Sequence, residues 1–363
     1  MSSASEKSRF PVPVTILTGF LGSGKTTLLN HLLFSDHGLR VAVVVNDFGK
    51  VNIDAQMIVG VDEDEMVNLA NGCICCTIRD DLLSAMVRLL KRPEPPEYII
   101  IETSGVSDPA SVAMTFTLPE LEPYMQLDSI LTVIDAEQGG DSLEDEMFFL
   151  AMQQVGVADI VILNKVDLVD QKRLDHLKKW VREIIPAARI IESTFGRVPP
   201  ELILGVGLYA PERLHQRAIS DVHVHESGDA HDHDHEDAHD HTLVFETWTW
   251  RTDQPIEYRA LRKAIERLPT TIYRVKGFVN LEDEPHERAL LQVVGRRASL
   301  SFGAPWKDEP KRTELVFIAE HGGLNREGLE AHMNAALQRG GARVADMSRL
   351  GSRAMDWLRG GKK

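Results

Sequence analysis

The sequence has 363 residues, of which 43% are hydrophobic and 26% are charged. This length suits two ordinary domains, because a single hydrophobic core stops growing at roughly 250–300 residues. The 55 acidic side chains outnumber the 40 basic ones and give a net charge of −15. We expect neither nucleic acid nor a membrane as partner, because phosphate contacts need a basic face and the longest apolar runs have only the length of strands.

The N-terminal sequence MSSASEKSRFPVP lacks the apolar stretch of a secretory signal peptide. All three cysteines of the chain lie within four positions, so they cannot form a disulfide framework. We therefore expect a reducing, cytoplasmic setting, in which clustered cysteines more often serve metal or redox chemistry.

Six apolar runs in the first half of the chain predict the strands of an α/β domain. The runs are continuous rather than alternating, which is typical of strands buried on both faces of a parallel sheet. They occupy residues 14–18, 40–45, 98–102, 129–135, 159–164 and 188–193. Helical patterns lie between them at 25–34, 79–91, 143–154 and 171–184. This alternation predicts an α/β domain with a mostly parallel, doubly wound sheet.

The composition changes sharply at residues 223–241, which are rich in His and Asp and cannot bury a core. The pattern after this segment predicts a smaller α+β domain with one sheet and helices on one face. Strands are expected at 243–250, 272–279, 289–294, 298–302 and 313–319, with helices at 255–267 and 325–338. The expected divisions are a first, α/β domain (1–215), a flexible linker (216–242), a C-terminal domain (243–345) and a basic tail (346–363).

The octapeptide GFLGSGKT fits the phosphate-loop pattern G-x-x-x-x-G-K-[ST], and it lies between the first predicted strand and the first predicted helix. Backbone N–H groups at the start of that helix can bind phosphate oxygens. Lys25 would reach the β and γ oxygens, and Thr26 would bind Mg²⁺. The residues expected to bind nucleotide here are Gly19, Gly22, Ser23, Gly24, Lys25, Thr26 and Thr27.

The tetrapeptide Asn164-Lys165-Val166-Asp167 follows a buried strand and fits the pattern N-K-x-D. Asp167 can accept hydrogen bonds from the N1–H and the exocyclic amine of guanine, a pair that adenine lacks. Asn164 and Lys165 would support the loop and cover the ring. In register after a phosphate loop, this motif predicts that the nucleotide is GTP.

Glu102 ends a predicted strand, and the carboxyl ends of parallel strands are where ligands bind in open α/β sheets. We expect Glu102 to hold Mg²⁺ through water, and Lys25, Thr26 and Glu102 to carry the hydrolysis of GTP. Gly105 could donate its backbone N–H to the γ-phosphate and move when that phosphate leaves. The alternative is that Glu102 is simply a solvated strand end.

The three cysteines, Cys73, Cys75 and Cys76, form the motif GCICC. Thiolates are ligands for Zn²⁺ and for related divalent ions such as Co²⁺, and zinc favours four ligands. Asp47, in the segment NDFG, is the candidate fourth ligand. Two alternatives remain: a redox pair formed by Cys73 and Cys76, or three small buried core residues.

The histidines of the linker alternate with acidic residues and have no rigid frame. They would bind Zn²⁺, Co²⁺ or Ni²⁺ weakly, and the alternative is a solvated acidic linker without a metal. The histidines in question are His231, His233, His235, His239 and His241.

The motifs GFLGSGKTT, NDFG, GCICC, ETSG and NKVD, in this order, resemble those of the CobW-like metal-chaperone GTPases. The later runs RVKGF and ELVFIA are similar to the C-terminal domain of that family. The resemblance implies a GTPase of the class that also holds the urease and hydrogenase nickel-insertion proteins. Such a protein would bind zinc through the three cysteines and release it to a client, an apo metalloenzyme, when GTP is hydrolysed.

Two positions depart from the family's pattern. Asp47 stands where the family usually has Glu, and its side chain is one methylene shorter. The loop Glu192-Ser193-Thr194 differs from the usual S-A pattern, so guanine binding would depend mainly on Asn164 and Asp167.

No residue for in-line activation of water is evident in these motifs, so we expect slow hydrolysis. A partner or a second copy in a homodimer would accelerate it, as groups supplied in trans do for other GTPases. Two other functions fit the same motifs. One is a metal-storage GTPase dominated by the histidine linker, and the other is a redox-sensing GTPase.

Overall fold

The computed structural model describes residues 11–35, 37–46, 66–68, 75–119, 121, 123–140, 145–204, 245–306, 310–337 and 355–356. The linker expected at 216–242 lies outside these residues, as does most of the tail expected at 346–363. Among the described residues, no helix is both long enough and apolar enough to cross a membrane.

Within the described part of the chain, the first unit contains a seven-stranded sheet in which every strand pairs in parallel with its neighbours. The strands are β1 (Val12–Gly19), β2 (Val41–Asn46), β3 (Met66–Asn68), β4 (Tyr98–Thr103), β5 (Met125–Asp135), β6 (Ile160–Asn164) and β7 (Arg189–Ser193). Their order across the sheet is β3-β2-β4-β1-β5-β6-β7. From β1 the chain runs to β2 and β3 on one side, returns to β4 beside β1, and continues through β5, β6 and β7 on the other side. The predicted doubly wound sheet is therefore confirmed.

Helices cover both faces of this sheet. They are α1 (Lys25–Phe34), α2 (Cys75–Leu90), α3 (Pro109–Thr115), α4 (Asp145–Gly156), α5 (Gln171–Ile184) and α6 (Pro200–Leu204). Successive strand residues point to opposite faces. Accordingly, Val43 and Val45 pack with α1 and α6, whereas Ala42 and Val44 pack with α2 and α3. The near-continuous apolar strands follow from this two-sided burial.

The second unit is an antiparallel sheet with helices on one face, which confirms the predicted α+β class. Its strands are β8 (Phe245–Thr252), β9 (Ile272–Val279), β10 (Glu287–Val294), β11 (Arg297–Pro305), β12 (Thr313–Glu320) and β13 (Met355–Asp356), in the order β13-β11-β10-β9-β12-β8. Helices α7 (Tyr258–Glu266) and α8 (Arg326–Leu337) pack on it through one apolar cluster. The two-residue strand β13 falls within the range expected to be a tail.

The other face of the second sheet packs against the first unit. Val294, Val316 and Ile318 share an apolar cluster with strands β1, β5 and β6. Polar contacts join the same surfaces: Ser301 donates to Gln126 at 2.6 Å, and Arg297 donates to Asp159 at 2.9 Å. The second unit is therefore held at the amino ends of β5 and β6.

Candidate functional site

Five strands of the parallel sheet bring polar residues or glycine to one edge. Glu102 lies level with Leu17 of β1, and Gly19 lies level with Val133 of β5. Asp135 pairs with Asn164, which is also level with Ser193 on β7. The predicted motifs after β1, β4 and β6 therefore meet at the carboxyl edge of the sheet, where this class of fold binds its ligands.

The loop after β1 turns directly into α1. Lys25, the first residue of that helix, is only 6% exposed, and its Nζ donates to the carbonyls of Gly19 at 2.9 Å and Phe20 at 3.2 Å. The ammonium group therefore lies inside the loop. A cation held there, at a helix N-terminus, gives the loop the electrostatic character of a phosphate site.

Two residues expected to serve Mg²⁺ are in contact. The Thr26 Oγ1 donates to Glu102 Oε1 at 2.9 Å, and Glu102 is 2% exposed at the end of β4. A hydroxyl and a carboxylate side by side supply the hard oxygen donors that Mg²⁺ prefers. The solvated strand end considered for Glu102 is wrong, because its carboxylate is buried against α1.

The phosphate loop itself fits an anion. Gly22 has φ 75, and a Cβ built there would meet no atom within 4 Å, so the space beside its backbone is open. Ser23 is fully buried, and its Oγ has no hydrogen-bond partner in the part of the chain that the structure describes. Gly24 has φ 100, and a Cβ there would collide with the Asn164 amide. Open space, a buried hydroxyl and backbone N–H groups are what a phosphate group requires.

Asn164 joins three loops. Its Nδ2 donates to Ser23 O at 2.9 Å, and its Oδ1 accepts from Gly196 N at 3.0 Å. Gly196 follows β7 and has φ 65, and a Cβ there would lie 2.7 Å from Leu28 N on α1. Asn164 therefore connects the phosphate loop to the loop after β7, as a bracing residue of a guanine site would.

Lys165 adopts a left-handed conformation with φ 61, and its Nζ contacts Asp135 Oδ2 at 2.6 Å. Asp135 also accepts hydrogen bonds from the backbone N–H groups of Glu137 and Gln138. Asp167 is exposed in a short 3₁₀ turn, Val166–Leu168. The carboxylate expected to recognise guanine is thus accessible at this edge of the sheet.

Gly105, the residue expected to sense the γ-phosphate, lies against the phosphate loop. A Cβ at this position would lie 2.6 Å from Leu21 N and 2.8 Å from the Leu21 side chain. Only glycine permits this approach between the loop after β4 and the loop after β1.

The candidate metal residues mostly lie outside the described residues. These are Asp47, Cys73 and the linker histidines His231, His233, His235, His239 and His241. Cys75 and Cys76 are the first two residues of α2, and only their backbone is described. Where the structure describes side chains, no group of three His, Cys, Asp or Glu residues could hold a metal ion.

Three residues at this edge are not predicted from the sequence. Asp135 ends β5, and the argument applied to Glu102 would have identified it. Gly196 lies in a loop without a phosphate-loop or N-K-x-D pattern. Gln154 on α4 donates to the carbonyls of Gly105 and Ser107, and nothing in its helical pattern distinguishes it from any other glutamine.

The fold and the phosphate loop define a P-loop GTPase. Residues 13–192 match the family described as CobW/HypB/UreG, nucleotide-binding domain, and residues 245–337 match the cobalamin synthesis protein cobW C-terminal domain. Together these matches cover most of the chain. The chain belongs to the CobW/HypB/UreG family, and the resemblance noted from its motifs is confirmed.

Named relatives align with most of the chain. A protein of Dictyostelium discoideum named zinc-regulated GTPase metalloprotein activator 1 is 39% identical over 90% of this chain and 80% of its own length. A zinc chaperone CobW of Pseudomonas aeruginosa is 35% identical, over 91% of this chain and 93% of its own length. The zinc chaperone YjiA of Escherichia coli is 30% identical over 85% of this chain and 94% of its own.

Proposed function

We propose that this chain is a GTP-dependent metallochaperone. It binds Zn²⁺, or a related ion such as Co²⁺, through Cys73, Cys75 and Cys76, with Asp47 as the candidate fourth ligand. It hydrolyses GTP to GDP and phosphate, and this drives transfer of the metal to a client metalloenzyme in its apo form. The names of the zinc-chaperone relatives support the choice of zinc.

The observation that carries the proposal is the register of the sheet. β2 ends at Asn46, level with Thr103 beside Glu102, and β3 ends at Asn68, level with Val45. The motif GCICC follows β3 along the chain and extends into the first two residues of α2, Cys75 and Cys76. Parallel strands end at a common edge, so the thiol motif starts from the edge that carries the nucleotide residues. The candidate fourth ligand, Asp47, directly follows β2.

Within this proposal, backbone N–H groups of Gly22, Ser23 and Gly24 bind the phosphates. Lys25 leaves the carbonyls of its own loop for the β and γ oxygens. Thr26 and Glu102 would hold Mg²⁺, which when bound would neutralise the negative charge that develops during phosphoryl transfer. Asp167 recognises guanine, and Asn164 keeps the base loop and the phosphate loop in register.

Coupling between GTP hydrolysis and metal binding then follows from where the two sets of residues lie along the chain. The segment from Asp47 to Cys76 directly follows β2, whose last residue lies level with Thr103, next to Glu102, so a change at the phosphate site on hydrolysis would reach the metal site. Hydrolysis by the chain alone is slow, because the described part of the site supplies binding and positioning groups but no evident base for the attacking water. A client or a second copy of the chain accelerates it.

The proposal is tested by replacing Cys75 and Cys76 together with serine in the full chain. Serine keeps the size of the side chain but removes the thiolates, so tight zinc binding should be lost while GTP binding persists. Zinc affinity is measured by competition with a chelating indicator, and GTP affinity with a fluorescent analogue.

Deletion of residues 223–241 is the matched control, because it removes the histidine segment and leaves the thiols intact. This deletion should lower the amount of weakly bound metal and preserve the tight site. If the double serine variant binds zinc as tightly as the wild type, the cysteines are not the ligands. If the deletion abolishes tight binding instead, metal storage by the linker replaces the chaperone function.

A further inference from the structure

The turn that follows β4 is held by a side chain from a different part of the fold. Gln154 lies on α4, and its Nε2 donates to Gly105 O at 3.1 Å and to Ser107 O at 3.4 Å. The turn is closed locally by Ser107 N, which donates to Ser104 O at 3.0 Å. One amide nitrogen thus donates to two carbonyls of the segment that contains Gly105, the glycine expected to contact the γ-phosphate.

The environment of Gln154 makes this arrangement costly to lose. The residue is 1% exposed, and its own backbone carbonyl accepts a hydrogen bond from Thr132 Oγ1 at 2.8 Å. Its neighbours on the helix, Ala151 and Val155, are buried in an apolar cluster. A buried amide is tolerated only where its hydrogen bonds are made. The two N–H groups of the Gln154 amide have two acceptors, the Gly105 and Ser107 carbonyls, and both belong to this turn.

The same turn also packs against the phosphate loop. Gly105 approaches Leu21 so closely that no Cβ would fit between them. Leu21 and Gln154 also line one small cavity of about 40 Å³, together with Asp135 at the end of β5. The turn is therefore confined between the phosphate loop on one side and α4 on the other, and Gln154 is its polar attachment to α4.

We propose that Gln154 is a positioning residue for GTP hydrolysis. By holding the carbonyls of Gly105 and Ser107, it fixes the peptide plane that follows Gly105 and the one that follows Ser107. The Gly105 N–H lies in the preceding plane with the Ser104 carbonyl, which accepts from Ser107 N. Gln154 therefore limits the direction of that N–H through the closed turn. This inference rests on the proposed GTPase function and deepens it. Gln154 acts through Gly105 and does not touch the nucleotide.

The binding of GDP and of a GTP analogue distinguishes this positioning role from simple packing. GDP lacks the phosphate group that Gly105 is proposed to contact, so its binding should not depend on Gln154. A GTP analogue and the hydrolytic step should depend on it, because small errors in orientation lower rates strongly. The preference for the GTP analogue over GDP is therefore the informative quantity.

The test compares Gln154→Leu with Gln153→Leu in the full chain. Gln153 is the preceding residue of the same helix and is exposed, so the control makes the same chemical change on the same helix. Gln154→Glu is the second variant, because a carboxylate keeps the shape but cannot donate to the two carbonyls. The measurements are kcat and KM for GTP, affinities for GDP and a non-hydrolysable GTP analogue, and the melting temperature.

For both Gln154 variants, we expect kcat to fall about tenfold or more, with a lower preference for the GTP analogue over GDP. GDP affinity should stay within about twofold of the wild type, and Gln153→Leu should behave like the wild type. Unchanged kcat and unchanged nucleotide preference in a folded Gln154→Leu protein overturn the proposal. Failure of both Gln154 variants to fold also overturns it, since Gln154 is then a core residue only.

The outcome for Gln154 can be separated from that of the proposed function. A wild-type protein that hydrolyses GTP but transfers no zinc contradicts the metallochaperone function and leaves the Gln154 comparison intact. If the wild type hydrolyses no GTP, the nucleotide preference of the variants still decides whether Gln154 positions Gly105.

Discussion

Asn164 uses both ends of one side-chain amide to join separate parts of the nucleotide site. Its nitrogen donates to Ser23 O in the phosphate loop, and its oxygen accepts from Gly196 N after β7. The residue is 2% exposed, so water cannot replace these bonds. Removing a buried partner costs about 1–3 kcal/mol for each group left unsatisfied. Asn164 therefore stabilises the geometry of the whole nucleotide edge.

We predict that Asn164→Ala lowers the affinity for GDP and for a GTP analogue by similar factors, about tenfold or more. Both nucleotides need the phosphate loop and the base loop in register, so the loss should not depend on the γ-phosphate. Equilibrium titration with fluorescent nucleotides measures the two affinities.

Asn325→Ala is the matched control for this prediction. Asn325 caps the start of α8 through a bond from Gly328 N at 2.9 Å, so its loss should reduce stability by about 1 kcal/mol without changing nucleotide affinity. If Asn164→Ala binds GDP within about twofold of the wild type, the bracing role is contradicted.

Residue types predict the site only where the local sequence carries the chemistry. Lys25, Thr26 and Asn164 belong to contiguous motifs whose neighbours dictate their placement, so sequence suffices for them. Gln154 reaches its turn across 47–49 positions of the chain, and no local pattern encodes that contact. Such long-range polar contacts are decided by packing, which the sequence does not reveal directly.

The elements of the fold are predicted to the extent that burial or capping defines them. Helix α5 matches its predicted range, because Asp170 caps its start by accepting from Arg173 N and its buried face has helical spacing. The strand predicted at 129–135 begins earlier, at Met125, because polar residues such as Gln126 and Asp128 are buried within it. The elements that were not predicted, β3, α3, α6 and β13, have two to seven residues, too few for a periodic pattern.

The hairpin between β10 and β11 is an element with two roles. Gly295 has φ 57 in the turn, as a tight hairpin requires. A Cβ at Gly295 would also collide with the Asp159 carbonyl, just before β6. The neighbouring Arg297 donates to Asp159 Oδ2 at 2.9 Å. The turn therefore closes the hairpin and also contacts the first unit at Asp159.

We predict that Gly295→Ala destabilises the chain more than Gly322→Ala does. Gly322 has a similar φ of 70, but a Cβ there would meet no atom within 4 Å. The change at Gly322 should cost about 1–2 kcal/mol for the left-handed conformation alone. The change at Gly295 adds the displacement of the Asp159 backbone.

Urea unfolding of both full-length variants measures the difference in the free energy of unfolding. Equal destabilisation would mean that the Gly295 turn does not press on the first unit. A larger loss at Gly295, accompanied by separate unfolding of the two units, would support a role for the hairpin in holding them together.

At the scale of the whole molecule, a buried ionic network joins the two units. Arg274 on β9 is fully buried and donates to Asp128 Oδ2 of β5 at 2.7 Å and to Ile203 O at 2.7 Å. The Tyr98 hydroxyl, at the start of β4, also donates to Asp128 at 2.6 Å. Breaking such a buried pair by removing one partner costs about 3–5 kcal/mol. The second unit is therefore anchored to the strands whose opposite ends form the nucleotide site.

Lys276 is the second cation of the run RVKGF, and it is also buried. Burial, and next the charge of Arg274, lower the pKa of Lys276, Asp128 opposes them, and the resulting pKa is about 7. The run RVKGF is similar to the C-terminal domain of the family, but its residue types alone assign it no chemistry. The burial of Lys276 at the junction of two units could not be read from the residue type.

Because Lys276 is buried, the free energy of unfolding depends on pH. The pKa of lysine in an unfolded chain is about 10.4, and that of Lys276 in the folded chain is about 7. Between these values the unfolded state binds more protons at this residue, so stability rises with pH by up to about 1.4 kcal/mol per pH unit. Below pH 7 the penalty for burying the charge is complete and constant.

We predict that Lys276→Met, which keeps a similar volume, is more stable than the wild type at pH 6–7, and that its advantage shrinks as the pH rises toward 10. Urea unfolding of the full chain at several pH values measures the difference. Lys263→Met, on the exposed face of α7, is the matched control and should follow the wild-type profile. Parallel profiles for wild type and Lys276→Met would show that the Lys276 charge is not excluded from the folded junction. Its titration would then contribute nothing to the stability of the contact between the two units.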